Sequence, residues 1–191
     1  INIADTLFPT LEQKDKHNLL KLNLDSNQIV FWKDTIDLKV FRKTQKLNSI
    51  DAFQAYIIRH SDSKLLEKAI FKRDSIAFYT AKSLNHSSEY KLFLENYPNS
   101  KFNIEAKNRF EERLFIEATL INTEKNYQRF LVEHSNSPYY SQIEDSIFAK
   151  HTSSNKISSY NSFIKTYPNN KNVNKAWKLI YKLYIADYSP E

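Results

Sequence analysis

The stretch that decides the fold is Tyr90-Lys91-Leu92-Phe93-Leu94-Glu95-Asn96-Tyr97-Pro98-Asn99-Ser100. Similar stretches begin at Phe53, Tyr127 and Tyr160, so that successive copies are offset by 37, 37 and 33 residues. Each copy begins with an aromatic residue and has a second one three residues later. A period of this length predicts one supersecondary unit repeated along the chain, because such a unit buries its apolar side chains only by stacking on its neighbours.

Each repeat is predicted to contain two helices. In the first helix, Tyr90, Phe93 and Leu94 recur at helical spacing and form one apolar stripe. Pro98 ends that helix because proline cannot continue its hydrogen bonding, and Ser100 is placed to cap the next helix. We expect the first helices to begin at polar residues whose oxygens accept hydrogen bonds from the first amides, namely Asn48-Ser49, Ser87, Thr123 and Ser153-Ser154.

The second helix of each repeat is predicted to be longer, with small and aromatic side chains facing inward. The corresponding residues are Ala69, Phe78 and Ala81 in one repeat and Ala106, Phe115 and Ala118 in the next. In the last helix the predicted apolar face consists of Val173, Ala176, Trp177, Ile180 and Tyr184. That helix carries more apolar surface than a free end of an array needs, which favours a partner or further chain beside it.

This pattern predicts an all-α fold, an α–α superhelix (solenoid) of helical hairpins. Repeats are expected over residues 28–186, divided at about 28–47 (a leading helix), 48–84, 85–121, 122–152 and 153–186. Residues 1–27 are expected to be an irregular or capping segment. There Leu20–Leu24 alternates like a strand, whereas His17–Leu24 also fits a short helix. Residues 187–191 are interpreted as a tail.

Residues 28–186 resemble a divergent tetratricopeptide-like repeat array, in the form found in bacterial outer-membrane lipoproteins and periplasmic scaffolds. The resemblance is carried by Tyr90, Phe93 and Leu94 followed by Tyr97-Pro98 and Ser100, although the glycine of the standard first helix is absent. It implies a non-catalytic protein–protein interaction scaffold that binds partners on a concave face lined by the first helices. It also implies a subunit or segment of a bacterial cell-envelope assembly or secretion complex, in the periplasm or at the outer-membrane periphery, with the cytoplasm as the alternative.

The composition excludes several classes of functional site. The 191 residues include no Gly, Cys or Met. Without glycine there is no Walker loop or dinucleotide-binding fingerprint, and without cysteine there is no disulfide, thiolate metal site or thiol nucleophile. No apolar stretch approaches the roughly 18 residues of a transmembrane helix. We therefore expect no cofactor, and the missing Met, with Ile1 in first place, leads us to expect a segment of a longer chain.

The sequence predicts no catalytic or metal-binding constellation. His60 and His134 occupy the repeat position that tyrosine holds elsewhere, which indicates packing at a turn. Of the remaining histidines, His17 and His151 have no His or carboxylate one helical turn away, and His86 has only Glu89 at that spacing, which is too few ligands for a metal site. Glu111 and Glu112 are adjacent, so they point about 100° apart on a helix. The serines cluster at helix starts, where capping explains them, and we predict that the chain is not an enzyme.

Eight basic residues form two stripes at helical spacing and are the candidate partner-binding residues: Lys39, Arg42, Lys43 and Lys46, and Lys171, Lys175, Lys178 and Lys182. With a net charge of +6, these stripes are either solvated outer faces or surfaces for an acidic protein, nucleic acid or anionic lipid headgroups. We predict a protein partner within a larger complex. A basic nucleic-acid-binding module and the docking arm of a larger enzyme are the alternatives. The aromatic residues recur in phase with the repeat and are mostly predicted core, which does not favour nucleic acid.

Overall fold

The structure, a computed structural model, describes residues 25–187. The predicted segment 1–27 falls almost entirely outside the described residues, and with it lie His17 and the choice between strand and helix for Leu20–Leu24. The predicted tail 187–191 also lies outside them, apart from Asp187.

Residues 25–187 form nine α-helices and no strand, which confirms the all-α class. The helices are α1 (Ser26–Leu47), α2 (Ile50–Arg59), α3 (Leu66–Leu84), α4 (Ser87–Asn96), α5 (Asn103–Ile121), α6 (Glu124–Glu133), α7 (Tyr140–His151), α8 (Ile157–Thr166) and α9 (Val173–Asp187). Helices α2, α4, α6 and α8 have 10 residues each, and the helix that follows each of them is longer, as predicted.

The chain divides into two compact units, and the first contains the described residues 25–85 and 89–106. Within it α1 packs against α2, and α2 packs against α3. Phe41 meets Phe53 and Tyr56 edge-on, with ring centroids 6.2 and 5.4 Å apart. Phe78 meets Phe93 in the same way at 5.6 Å. These five rings are buried, so the aromatic residues of the sequence pattern form the core of this unit.

The second unit contains residues 86–88 and the described residues from 107 onward. Its helices pack in chain order, α6 against α7, α7 against α8, and α8 against α9. The buried core of the unit consists of Tyr127, Phe130, Ile143, Ile147, Phe148, Tyr160, Phe163, Ala176 and Ile180. Four of these are aromatic residues that the repeat pattern singled out as apolar.

Four asparagines supply the left-handed backbone that glycine provides in most proteins. Asn48, Asn85, Asn122 and Asn155 have φ values of 45°, 56°, 48° and 51°. The left-handed region is costly for side chains with a Cβ, and Asn tolerates it best after Gly. These asparagines are 37, 37 and 33 residues apart, the same offsets as in the sequence pattern. Each described turn from a long helix to the next short one therefore contains a left-handed Asn where most chains would use Gly.

Each of the last three asparagines also accepts a hydrogen bond from the tyrosine five residues later. The hydroxyl-to-Oδ1 distances are 3.3 Å for Tyr90 and Asn85, 3.1 Å for Tyr127 and Asn122, and 2.6 Å for Tyr160 and Asn155. Phe53 holds the corresponding position after Asn48 and has no hydroxyl to donate. The buried aromatic ring and the turn are thus joined by one hydrogen bond in three of the four places.

The other type of turn, from a short helix to the next long one, also recurs four times. A buried polar side chain there accepts a hydrogen bond from the amide two residues later, at 2.9–3.3 Å; these residues are Ser63, Ser100, Ser137 and Asn170. The amide of each donates in turn to the carbonyl three residues earlier, at 3.0 Å. Ser100 therefore satisfies a backbone amide at the approach to α5, as the sequence predicted.

Two of the predicted first-helix caps are confirmed. The Ser49 hydroxyl accepts from the amide of Ala52 at 3.2 Å, and the Thr123 hydroxyl accepts from the amide of Asn126 at 3.3 Å. Each of these caps directly follows a left-handed asparagine. The N-cap register is therefore set by the asparagine.

The other two predicted caps are wrong. Ser87 lies one residue past the cap position, inside α4, and its hydroxyl donates to Glu117 at 2.5 Å. Ser153 and Ser154 lie in the preceding turn, and the N-cap of α8 is Lys156, which makes no side-chain capping hydrogen bond. At both places the residue after the asparagine, His86 or Lys156, lacks the short oxygen-bearing side chain that caps a helix.

The predicted apolar face of α9 is only partly correct. Ala176 and Ile180 are buried and Val173 is half-buried, but Trp177 and Tyr184 are 52% and 53% exposed. Helix α9 packs mainly against α8, with Lys175 also reaching Phe148 of α7, so only a narrow stripe of its surface is covered.

Candidate functional site

The basic residues predicted on α1 lie on its exposed surface. All four, Lys39, Arg42, Lys43 and Lys46, are exposed. None of them forms an ion pair with a carboxylate among residues 25–187, whereas Lys33 on the same helix pairs with Asp62. Their positive charge is therefore available to solvent or to a partner as far as the described residues are concerned.

The second basic stripe is not a single face. Lys171 lies before the start of α9, and its ammonium donates to Asp145 at 2.7 Å and to Ser141 at 2.5 Å. Lys175 places its ammonium 4.9 Å from the centre of the Phe148 ring. These two lysines thus contact the rest of the second unit, whereas Lys178 and Lys182 are exposed and form no ion pair among residues 25–187.

The exposed side of α9 combines aromatic side chains with these two lysines. We call it the α9 outer face; it consists of Trp177, Lys178, Tyr181, Lys182, Tyr184 and Ile185. Trp177 and Tyr181 are 52% and 67% exposed. Because side chains three or four residues apart share one side of a helix, Trp177, Tyr181 and Tyr184 form an aromatic stripe, beside which Lys178 and Lys182 form a basic one. Adjacent large apolar side chains in such an exposed position are typical of a protein or membrane contact site.

Among residues 25–187, none of the helices is long and apolar enough to cross a membrane. No known protein-family profile matches the chain, and no curated protein shows significant similarity to it.

A second group of polar side chains meets where α6, α7 and α8 lie together in the second unit. His151, the last residue of α7, has its Nδ1 atom 3.1 and 3.0 Å from the two carboxylate oxygens of Glu124. The other ring nitrogen, Nε2, lies 3.0 Å from the hydroxyl of Ser162 on α8. Glu124 also accepts a hydrogen bond from the Tyr167 hydroxyl at 2.8 Å. The order carboxylate, imidazole, hydroxyl is the arrangement that polarises a serine.

The hydrogen bonds of this cluster shift two pKa values. Burial alone would raise the pKa of the Glu124 carboxyl, but the hydrogen bonds from His151 and Tyr167 outweigh it and lower that pKa below its usual value. Burial and the hydrogen bond to the Glu124 carboxylate raise the pKa of Tyr167 to about 12. At neutral pH Glu124 is therefore an ionised acceptor and Tyr167 a protonated donor.

The histidines predicted to pack at turns, His60 and His134, do lie at the ends of α2 and α6. His60 is buried, stacks on Tyr56 at 4.7 Å and hydrogen bonds to Asp37 at 2.7 Å. His134 packs against Phe130, with ring centroids 5.2 Å apart. Burial also raises the pKa of Tyr56, whose hydroxyl bonds to Ser63 at 2.8 Å. The buried hydrogen bond between His60 and Asp37 thus links the end of α2 to α1.

Sequence reasoning missed the cluster around His151. Its partners Glu124 and Ser162 are 27 and 11 residues away, so a search for partners one helical turn away does not find them. The repeat pattern contained one signal. Tyr167 occupies the repeat position of Tyr97, and its ring lies beside His151 at the end of the preceding long helix. Only the packing of three helices brings these side chains together.

Proposed function

We propose that this chain is a protein–protein interaction scaffold, built as a tetratricopeptide-like α–α solenoid. The observation that carries the proposal is the α9 outer face, where Trp177, Tyr181 and Tyr184 stand about half exposed or more in one stripe. Trp and Tyr are the side chains that most often dominate protein–protein binding energies. The solvent exposure of three such side chains on one helix is explained by a partner that covers them.

The local structure supports the repeat architecture in this proposal. The left-handed asparagines recur at 48, 85, 122 and 155. The polar turns recur at 63, 100, 137 and 170, and each of these turns has the same two hydrogen bonds. Both sets share offsets of 37, 37 and 33 residues. A chain that repeats two turns with one period is expected to repeat the hairpins between them, and stacked hairpins give extended surfaces for partners.

The chemistry of the α9 outer face indicates what kind of partner it takes. Its aromatic stripe requires apolar side chains on the partner, and Lys178 and Lys182 beside it favour carboxylates there. The stripes run from 177 to 185, about 12 Å of helix at 1.5 Å per residue. An acidic amphipathic helix of two to three turns fits both stripes, and such a segment is the partner that we propose for this surface.

The setting that we propose follows from the resemblance to envelope scaffolds: an assembly or secretion complex in the periplasm or at the outer-membrane periphery of a Gram-negative bacterium. A tagged chain in its native cells should then fractionate with the envelope. Recovery in the cytoplasmic fraction would contradict this part of the proposal and leave the scaffold itself standing.

Site-specific photo-crosslinking tests the scaffold directly. A photoreactive amino acid replacing Tyr181 should capture one protein in native cells, which mass spectrometry identifies. The same amino acid at Val132, an exposed position in the same unit, is the matched control. With that protein purified, Trp177→Ala and Tyr181→Ala should each weaken binding by about 30-fold or more, as hot-spot residues do. Equal binding by these variants and by Val132→Ala would refute the proposed surface.

A further inference from the structure

The hydrogen-bonded side chains of Glu124, His151 and Ser162 have the proton arrangement that activates a serine. An ionised Glu124 only accepts hydrogen bonds, so the Nδ1 atom of His151 must carry the hydrogen that lies between them. In the neutral ring Nε2 then carries none, and it accepts the hydrogen bond from the Ser162 hydroxyl, 3.0 Å away. His151 is therefore held in the tautomer that takes a proton from Ser162.

The imidazole is held in place on several sides. The Phe163 ring lies 6.0 Å from it, and the Tyr167 ring meets it edge-on at 5.5 Å. Tyr167 also fixes the orienting carboxylate of Glu124 through its hydroxyl. The His151 side chain is only 17% exposed, so the ring has little room to turn away from Ser162. A base that is fixed by packing and a second hydrogen bond is the requirement for activating a nucleophile.

Ser162 itself is open to reagents. It is exposed, on the middle turn of α8, and Lys165 is exposed one turn further along the same side. Ser158, one turn earlier on α8, is also exposed and makes no hydrogen bond to a histidine among the described residues. Ser162 and Ser158 thus lie on the same helix and are both exposed, but among the described residues only Ser162 has a histidine beside it.

We propose that Ser162 is an acyl-acceptor site, modified by small activated esters. Its Oγ attacks the ester carbonyl and forms an Oγ–C bond, while the bond from that carbon to the leaving oxygen breaks. The Oγ proton passes to Nε2 of His151 and from there to the leaving oxygen. His151 is the general base and Glu124 a positioning residue. This inference is independent of partner binding by the α9 outer face.

The acyl group is expected to stay on Ser162. In the middle of α8 the backbone amides are used by the helix itself, so they cannot form an oxyanion hole around the carbonyl. Without an oxyanion hole, hydrolysis of the acyl-serine is slow, and the site accumulates one modified serine.

Acetylation by p-nitrophenyl acetate, followed by peptide mass mapping, tests the proposal. Ser162 should react about 100-fold faster than Ser158, the lower range for a positioned general base. His151→Ala should lose this preference, and added imidazole should restore it, which a merely structural histidine would not show. Glu124→Gln should slow the reaction, and Ser158→Ala should leave it unchanged.

Circular dichroism of each variant shows whether it is folded. If His151→Ala fails to fold, the comparison of Ser162 with Ser158 in the unaltered protein decides alone. Equal rates at the two serines would overturn the proposal.

Discussion

The Tyr160 hydroxyl donates a 2.6 Å hydrogen bond to Oδ1 of Asn155, whose backbone is left-handed with φ of 51°. One asparagine thus performs two tasks: it provides the backbone conformation of the turn and it satisfies a largely buried phenol. The same pair occurs as Tyr90 with Asn85 and as Tyr127 with Asn122. The two tasks can be separated by mutation, because glycine performs only the first.

Asn155→Ala should lower the free energy of unfolding by about 1–2 kcal/mol for the left-handed backbone, in addition to the lost hydrogen bond. Asn155→Gly keeps the backbone and loses only the hydrogen bond, as does Tyr160→Phe, so each should cost about 0.5–1.5 kcal/mol. Chemical denaturation of the three variants measures these differences. If Asn155→Gly were as destabilising as Asn155→Ala, the left-handed backbone would not be the cause.

Removal of a core ring should cost far more than removal of an exposed side chain. Phe93 and Phe130 are 2% and 3% exposed, one in each unit, so Phe93→Ala and Phe130→Ala should each lower the free energy of unfolding by about 3–5 kcal/mol. Val132 is 82% exposed, and Val132→Ala should stay within about 0.5 kcal/mol. Urea denaturation followed by circular dichroism provides the comparison. Similar losses for all three would contradict the assigned core.

Two carboxylates should make the second unit sensitive to acid. Burial would raise the pKa of Asp145, but hydrogen bonds from Lys171 and Asn172 outweigh it, and the pKa is lowered, as it is for Glu124. A pKa lowered by folding contributes stability above the ordinary carboxyl value of about 4, and that stability is lost as the pH falls through the folded value. On acidification, the free energy of unfolding of Glu124→Gln and of Asp145→Asn should therefore fall less than that of the unaltered protein.

The matched control for this acid titration is Glu67→Gln on α3, since Glu67 is exposed and has no ion pair among the described residues. Its unfolding free energy should follow that of the unaltered protein at every pH. The same slope in all four proteins would remove Glu124 and Asp145 as the cause of acid sensitivity.

Tyr167 should titrate late and limit stability at alkaline pH. Its pKa is raised to about 12 by burial and by its hydrogen bond to Glu124. An unfolded tyrosine loses its proton near pH 10, so the contribution of Tyr167 is fully present below about pH 10 and is lost as the pH rises through the folded value. The unaltered protein should show the tyrosinate absorbance of one residue more than Tyr167→Phe, and this extra absorbance should appear only near pH 12. A difference that appears at the ordinary tyrosine pKa would contradict the hydrogen bond.

A nucleic-acid test separates the scaffold from its main rival. If the exposed α1 residues Lys39, Arg42, Lys43 and Lys46 serve a protein partner or solubility, single-stranded RNA and DNA should not bind measurably even at low salt. Fluorescence anisotropy with labelled oligonucleotides measures this. Binding that weakens steeply with salt, and that Lys39→Glu with Lys43→Glu abolishes, would instead favour a nucleic-acid module.

The sequence pattern predicted much of the fold because that information is local. Apolar residues at helical spacing predicted the helices, and Phe53, Tyr90, Phe93 and Phe130 are buried as their phase indicated. The predictions for two N-caps are wrong because serines alone do not fix where these helices begin, whereas the left-handed asparagines before them do. Trp177 and Tyr184 were predicted to face inward because apolar character alone does not show how many neighbours a helix has.

The candidate sites depend on contacts between helices, which the sequence does not display. Lys171 and Lys175 belong to a regular basic stripe in the sequence, yet packing places one on Asp145 and the other over Phe148. Only Lys178 and Lys182 remain on the outer face with the aromatic stripe.

By itself, then, the sequence determined the all-α class and the positions of most helices and turns, because a helix is specified by residues within a few positions of one another. Tertiary structure alone decided which side chains meet. Glu124, His151 and Ser162 come from three different helices and make contact only because α6, α7 and α8 pack together. Hydrogen bonds act over about 3 Å of space whatever the separation along the chain, and for that reason the site required the folded structure.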